Sequence, residues 1–599
     1  MAGIFGIQSY AGSLGVEQQA KQLLHIAQQG FQHPSGIHHF ASSAIGSALP
    51  HFYSGTNWPL VTHDGRFALV VFGEIYLASG EAVREYNFEE RFIAPLLASP
   101  DRFLLTLDGA FCFALMSQEE CLLVNDPFGT FALHYGALPS GFIFSSQMQG
   151  VGSALSSTAL DEKGVFQTLG LGMCLAGRTL FEGVSRVPGA SYLRASRDGI
   201  ALKKYFVPCY GESVEPVVST LNRIQAELEE SVVLRARYSE PIAAFTGGFD
   251  SRATWSIILG KHIEMQSVTH GLPDSSDILI VRKIASQLQI PHTEIHFDGA
   301  FISALPESWR DTVRLGEGGL SIRYGAALKY LQMLCGKYPV LLDSFGGAFY
   351  RRQRMKVAER LINPSKNLMS QLFRFERSSL LESNILRPEV HKAMESCALN
   401  SLAEYYASIE DTSLLGDKLD RYHLEEVGPM KDAAMGNAQL NYIGLGHPLL
   451  RLRAIELATT LPVAVRRRNA VHKYVVHASF PLLERFSLDN VGFSTPYRGF
   501  STLRYAKMVA ERILDRVHAN FPAFTIQLRR PTIDLEHLLL PGIKLAEEIL
   551  LSHHPEFDKL VDRPILEQTI TELKRGNMGR GDAIAQLLGF RLFLDLFVA

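Results

Sequence analysis

The sequence predicts a multidomain α/β protein, and three observations carry that prediction. Residues 1 to about 150 hold strand-length apolar runs between glycine turns, as in 67–72 and 110–115, bounded by Asp64-Gly65 and Asp108-Gly109. Residues 217–297 alternate helix-period and strand-like segments, the pattern of a doubly wound parallel sheet. A glycine turn at Gly247-Gly248 joins a short apolar strand to a helix inside that alternating region.

Composition sets the frame. With 599 residues the chain exceeds one ordinary core, and about two to four domains are expected. Hydrophobic residues are 47% and charged residues 20%, as in a soluble globular protein. The formal net charge of -3 favours neither nucleic acid nor an anionic membrane as partner. No apolar stretch approaches the roughly 20 residues that span a bilayer, and the N-terminus lacks the basic region and apolar run of a secretory signal. Cys112, Cys121, Cys174, Cys209, Cys335 and Cys397 lack metal-ligand spacing and are read as reduced, buried thiols of a cytoplasmic protein.

In the first third the runs are apolar on both faces, as strands covered on both sides are. In the second part, an amphipathic helix is read from Val217, Leu221, Ile224, Leu228 and Val232. A strand over 242–245 enters Thr246-Gly247-Gly248-Phe249-Asp250-Ser251. Ala253, Ile257 and Ile258 back the helix that follows. Strands over 265–269 and 292–297 flank a helix marked by Ile278, Val281, Ile284 and Leu288. Glycines let backbone approach a phosphate, and a helix N-terminus offers it free N–H donors. Thr246 and Ser251 add hydroxyls, and Asp250 is placed to hold Mg²⁺, a hard cation that prefers carboxylate oxygen. Gly-Lys-Ser/Thr is absent, so this is not a Walker loop. Ligands of such sheets sit beyond the strand C-termini, which brings Val268 and Gly271 to the same mouth. Residues 339–343 read as a buried strand that ends in Asp343 and a turn at Gly346-Gly347. Asp343 is either a metal ligand or a turn cap.

The opening Met1-Ala2-Gly3-Ile4-Phe5-Gly6 resembles the Met-Cys-Gly-Ile-Phe-Gly of the asparagine synthetase family. Phe72-Gly73-Glu74-Ile75-Tyr76, Leu107-Asp108-Gly109-Ala110-Phe111, Asp126-Pro127-Phe128-Gly129, Phe144-Ser145-Ser146 and the segments 177–184 and 187–190 follow in the family's order. The loop at 246–251 is similar to the family's Ser-Gly-Gly-Xaa-Asp-Ser pyrophosphate loop, with threonine first. The resemblance implies an N-terminal nucleophile αββα sandwich over 1–205, with its linker, and an ATP pyrophosphatase synthetase domain with added helices over 206–599. It implies ATP and Mg²⁺ as cofactors, with Thr246, Gly247, Gly248, Phe249, Asp250, Ser251 and Gly346 around the phosphates and Val268 and Gly271 near the adenosine. Val471-His472-Lys473-Tyr474 resembles the family's Lys-Tyr segment, which gives Lys473 the role of stabilising charge on an acyl-adenylate and leaving pyrophosphate. Gly446-His447-Pro448-Leu449-Leu450, leading into a helix from about 453 to 460, and Gly492-Phe493-Ser494-Thr495-Pro496 extend the match. Arg466, Arg467 and Arg468 are read as a solvated face.

The departures are as ordered as the matches. Ala2 replaces the nucleophilic cysteine, and alanine has no atom that attacks an amide. Gln32 stands where the family's arginine holds the glutamine carboxylate. Phe72 replaces the oxyanion-hole asparagine, and a phenyl ring donates no hydrogen bond. An engineered trap would account for Ala2 alone. In the family's Leu-Ser-Gly-Glu-Gly-Xaa-Asp-Glu register, Phe345 replaces the acid, and Ala348 and Phe349 replace the Asp-Glu pair. Loss of the glutaminase resembles β-lactam synthetases and lasso-peptide macrolactam cyclases, which use an internal amine. The expected activity is ATP-dependent amide formation from a small-molecule or peptide carboxylate and a substrate amine, with a precursor peptide and its protease as partners. Two other readings stand beside it: an ammonia-using asparagine synthetase and a nucleotide-binding pseudoenzyme.

Overall fold

The computed structural model describes the chain apart from residues 13–14, 51, 53–55, 156–158, 212–214, 238–239, 352–366, 410–414, 433, 467–468, 489–530 and 599. The match at Gly492 to Pro496, Arg467 and Arg468 lie outside the described residues.

The first third forms two six-stranded sheets. One runs β10 (Ser185–Arg186), β8 (His134–Leu138), β9 (Gly141–Ser145), β1 (Gly3–Ser9), β3 (Ser43–Ala48), β2 (Ser35–His39). The other runs β12 (Gly199–Lys204), β11 (Ser191–Ser196), β7 (Glu120–Asn125), β6 (Phe111–Met116), β5 (Ala68–Gly73), β4 (Leu60–Val61). All their pairings are antiparallel. Strands β5 and β6 are buried along almost their whole length, because the sheets face each other on one side and helices on the other. The helices α1 (Val16–Gln28) and α2 (Met148–Ala154) cover the first sheet. The helical segment from Glu89 to Ala98 sets Phe92 on Phe113 of β6, ring centroids 5.1 Å apart. This is an αββα sandwich.

The second part is built on a five-stranded parallel sheet in the order β15 (His292–His296), β14 (Gln266–Gly271), β13 (Ile242–Ala244), β16 (Val340–Leu342), β17 (Gly444–Gly446). The order reverses between β13 and β16, and the crevice beyond the strand C-termini at such a reversal is where open α/β sheets take ligands. The helices α3 (Val217–Arg235), α4 (Phe249–Gly260) and α5 (Ser276–Leu288) connect or flank these strands. Helix α4 is buried on several faces because α6 (Ala470–Ser479) packs along it. Trp255 pins α4 to the sheet: its ring stacks on Phe245 at 5.0 Å, and its Nε1 donates to Ala244 O at 3.1 Å. Truncating Trp255 to alanine removes roughly 3–5 kcal/mol of packing and loosens the loop between. The remaining helices, closed by α7 (Gly581–Phe597), form a separate apolar core with residues of the first third. No described helix is long and apolar enough to cross a membrane.

The cysteines depart from expectation. Cys112, Cys121 and Cys174 are buried, but Cys209 and Cys335 are exposed and Cys397 is half-buried. Arg466 is no solvated side chain either. It is buried at the end of a short helix and pairs with Asp420 at 2.9 Å and Asp417 at 3.3 Å. A triple-arginine run hides which of its members finds acidic partners distant in sequence.

Candidate active site

The loop after β13 folds onto itself before it can meet a ligand. Thr246 N–H donates to Ser251 Oγ at 3.0 Å, the two hydroxyl oxygens lie 2.9 Å apart, and Ser251 Oγ also reaches Thr246 O at 3.1 Å. The two hydroxyls therefore brace the loop. Gly247 N–H donates to Asp277 Oδ1 at 2.8 Å, and Thr532 Oγ1 donates to Asp277 Oδ2 at 2.9 Å. Past this brace, among the described residues, no side chain caps the helix that begins at Phe249. Unpaired N–H groups at a helix start carry partial positive charge and suit an anion. Arg252, buried one turn on, is fixed by carbonyls of Phe486 and Ser487 at 2.9 and 2.7 Å.

Asp250 sits at this helix start. Arg351 Nη2 lies 2.9 Å from its Oδ2 and His472 Nε2 lies 2.9 Å from its Oδ1. Burial pushes its pKa up, but His472 and Arg351 outweigh burial and hold it below the usual carboxylate value. Asp250 is thus ionised at neutral pH. Gly347 makes the close approach to it possible: a Cβ there would lie 2.3 Å from Asp250 Cγ. The turn before it needs Gly346 at φ +93°, where a side chain would also strike Leu450.

Asp343 follows β16 and accepts Phe345 N–H at 3.1 Å, so it caps the turn. It also faces the cavity that Asp250 lines. Burial raises its pKa, and the charge of Asp250 raises it further. Two carboxylates close enough to feel each other fit a hard cation that completes its shell with water and phosphate oxygens. Among the described residues no group of three or more His, Cys, Asp or Glu is arranged for a metal.

Lys473 lies on α6 and is only 7% exposed. Its Nζ stands 5.9 Å from the centroid of Phe249, at the loop. Val268 is buried in β14, where its carbonyl accepts from Phe245 N–H at 2.9 Å. Gly271 ends that strand under Thr532, whose carbonyl accepts from Leu272 N–H at 2.8 Å. The structure therefore gathers Asp250, Gly346, Asp343 and Lys473 around one loop, with Val268 and Gly271 on the neighbouring strand. Sequence reasoning missed Arg351, His472 and Asp277. His472 adjoins Lys473 and could have been found from that, but the partners of Arg351 and Asp277 lie 101 and 30 residues away.

Beyond the loop a cavity of about 310 Å³ opens, walled by Phe345, Phe349, Tyr324, His423, Met435 and His447 among others. By contrast, the region around Ala2 is closed. Ala2 is 4% exposed, its N–H donates to Asn441 Oδ1 at 2.6 Å, and its carbonyl accepts from Gln147 Nε2 at 2.7 Å. Phe72 is buried against Phe131 at 5.1 Å. Gln32 is exposed. What remains beside Phe72, Trp58 and Tyr76 is a cavity of about 50 Å³.

A glutamine amidotransferase domain model matches residues 1–206, and an asparagine synthase model matches residues 223–332. No curated protein sequence matches the chain. Among solved structures, the glutamine phosphoribosylpyrophosphate amidotransferase of B. subtilis, complexed with ADP and GMP, is 13% identical over 49% of this chain and 65% of its own, with a TM-score of 0.25. A structure described as the allosteric regulatory enzyme of purine biosynthesis is 13% identical over 49% and 64%, with a TM-score of 0.26. This chain spans less than two thirds of the length of either. With an amidotransferase domain ahead of an asparagine synthase domain, the chain belongs to the asparagine synthetase superfamily.

Proposed function

We propose that this protein is an ATP-dependent carbon–nitrogen ligase that joins a substrate carboxylate to an amine of the substrate itself and does not hydrolyse glutamine. One observation carries the reading. An uncapped helix start, an ionised Asp250 and a near-buried Lys473 meet at the mouth of the parallel sheet, beside a cavity of about 310 Å³.

In this scheme the substrate carboxylate attacks the α-phosphorus of ATP, pyrophosphate leaves, and the amine displaces AMP. The helix start at Phe249, Asp250 and Ser251 receives the pyrophosphate through backbone N–H groups. Lys473 neutralises charge that develops on the leaving group. A fixed charge in a desolvated site acts more strongly than one in water. Asp250 and Asp343 would hold Mg²⁺, which supplies charge compensation to the phosphates. Arg351 and His472 keep Asp250 ionised and oriented until then. Closure around Ala2 and the ring of Phe72 support the absence of a glutaminase. An internal amine then becomes the nucleophile, as in a lactam or macrolactam cyclase acting on a peptide, with a precursor peptide and its protease as partners.

ATP–pyrophosphate exchange with the full chain and a panel of carboxylates and precursor peptides tests this. Exchange that depends on the carboxylate and is insensitive to glutamine is expected. Exchange with aspartate that proceeds to asparagine when ammonia is added would make it an asparagine synthetase proper. Absence of exchange with every acid, while nucleotide still binds, would make it a pseudoenzyme.

A further inference from the structure

A third cavity, of about 90 Å³, lies where the sandwich meets the second part, and it shares no described lining residue with the two above. His134 of β8, Arg186 of β10 and Met148 of α2 line it from the first third. The turn from Leu315 to Gly319, with Met430 and Asn437, closes it from the other side.

Arg186 is only 7% exposed. Its guanidinium donates to Gly129 O at 2.9 Å and meets Met430 Sδ at 2.9 Å, and a thioether is a weak acceptor for a full charge. Among the described residues no carboxylate forms an ion pair with it. The acids it feels at a distance are committed elsewhere: Asp126 accepts Phe128 N–H at 2.7 Å, and Glu426 accepts Ala176 N–H at 3.1 Å. Burial lowers the Arg186 pKa to about 10, which leaves it charged at neutral pH. The other arginine of the lining, Arg178, has its partner in Asp161 at 2.5 Å. A buried charge without a counter-charge is costly, and Arg186 turns that need toward the cavity.

His134 adds a second open group. Its Nδ1 is buried and meets no hydrogen-bond partner among the described residues. Burial lowers its pKa to about 3, so the ring is neutral. Its other nitrogen donates to the Ser146 backbone, which leaves Nδ1 as an acceptor. Glu317 is the one acid of the described lining, and its two oxygens accept Met148 and Gln149 N–H at 2.6 and 2.7 Å. An apolar cavity of roughly 150 Å³ admits benzene, so one of about 90 Å³ suits a molecule of about five heavy atoms.

We propose that this cavity binds a small organic acid, whose carboxylate pairs with Arg186 and whose neighbouring hydroxyl or ammonium group donates to His134 Nδ1. The helix Ala434–Gln439 turns Asn437 to this cavity and Met435, Gly436 and Gln439 to the one beside Asp250, so the bound acid stands one helix away from it.

Calorimetry and thermal melting of the full-length protein with glycolate, glycine, acetate and glycinamide test this. Glycolate or glycine is expected to bind about tenfold more tightly than acetate, which lacks the donor, and to raise the melting midpoint. Glycinamide, which lacks the anion, is expected to do neither. A lead of glycine supports the site with an ammonium that also faces Glu317, and a lead of glycolate supports it with a hydroxyl at His134. Arg186→Gln is expected to abolish binding of both. His134→Phe keeps a ring and is expected to erase the margin over acetate while binding persists. Where Arg186→Gln fails to fold, the order of ligands on the wild-type protein and the His134→Phe variant decide. Binding that survives Arg186→Gln unchanged, acetate or glycinamide equal to the other two, or no response to any acid overturns the inference.

Discussion

Two pockets of this protein contrast in size. In the sandwich Ala2 is buried, the cavity beside Phe72, Trp58 and Tyr76 measures about 50 Å³, and Glu74 and Asp108 nearby are held in ion pairs. Around Asp250 the parallel sheet keeps a cavity of about 310 Å³ and an uncapped helix start. Space filled by side chains adds packing contacts, so the first region contributes to stability. A cavity and an uncapped helix start forgo such contacts, and the rest of the fold supplies the stability there.

The closed side shows what became of its charges. Glu74 and Asp108, both in segments that match the amidotransferase pattern, receive Arg235 from α3. Arg235 is fully buried, with its Nε 2.6 Å from Glu74 Oε1 and an Nη 3.4 Å from Asp108 Oδ2. Arg451 joins Asp108 at 2.8 Å and Glu227 at 3.0 Å. Burial raises the Glu74 pKa despite Arg235. For Asp108, burial opposes ionisation but Arg235 and Arg451 prevail and lower the pKa.

The sharpest way to break the contrast is therefore at this joint. Arg235→Met leaves two buried carboxylates short of a cation, and loss of one partner from a buried pair costs roughly 3–5 kcal/mol. Denaturant unfolding should register that loss, and a midpoint close to wild type would show that solvent reaches the joint. On the open side, Lys473→Met should slow pyrophosphate release on the order of a hundredfold, or about 3 kcal/mol. A rate within about threefold of wild type refutes a role in the transition state. Asp250→Asn keeps shape and removes charge, and should weaken MgATP binding roughly tenfold in calorimetry, since an amide is the poorer ligand for a hard cation. Unchanged affinity would leave Asp250 as the partner of Arg351 and His472 alone. The smallest effect belongs to Ala2→Cys. Glutamate release from glutamine should stay at background, because Phe72 and Gln32 still supply neither oxyanion donor nor carboxylate clamp. Measurable glutaminase in that variant would mean the pocket is open after all.

Much of the architecture was legible because local pattern and tertiary need agree. Apolar runs at 67–72 and 110–115 fall on β5 and β6, the helix read from Val217 is α3, and the glycine loop lies between β13 and α4. Of the candidate site, the sequence brings together only residues that are neighbours in the chain, as Gly247, Gly248 and Asp250 are. Arg351 could not be read as the partner of Asp250, since an arginine after a tyrosine announces nothing by itself. The two hydroxyls of the loop show a related limit. A serine five residues from a threonine can serve a ligand or its neighbour, and geometry gave them to each other. Phe345 looked like decay while it was compared with an acid, and became part of a wall once His447 stood beside it.

The Arg235 joint also bears on how many domains the protein has. Topology gives at least two, an antiparallel sandwich and a parallel sheet. Yet the guanidinium of one is the counter-ion of the other, and neither half could part without exposing apolar surface and stranding its own charge. By the measure of melting the two are coupled units, and calorimetry should record one shared transition where topology draws a boundary.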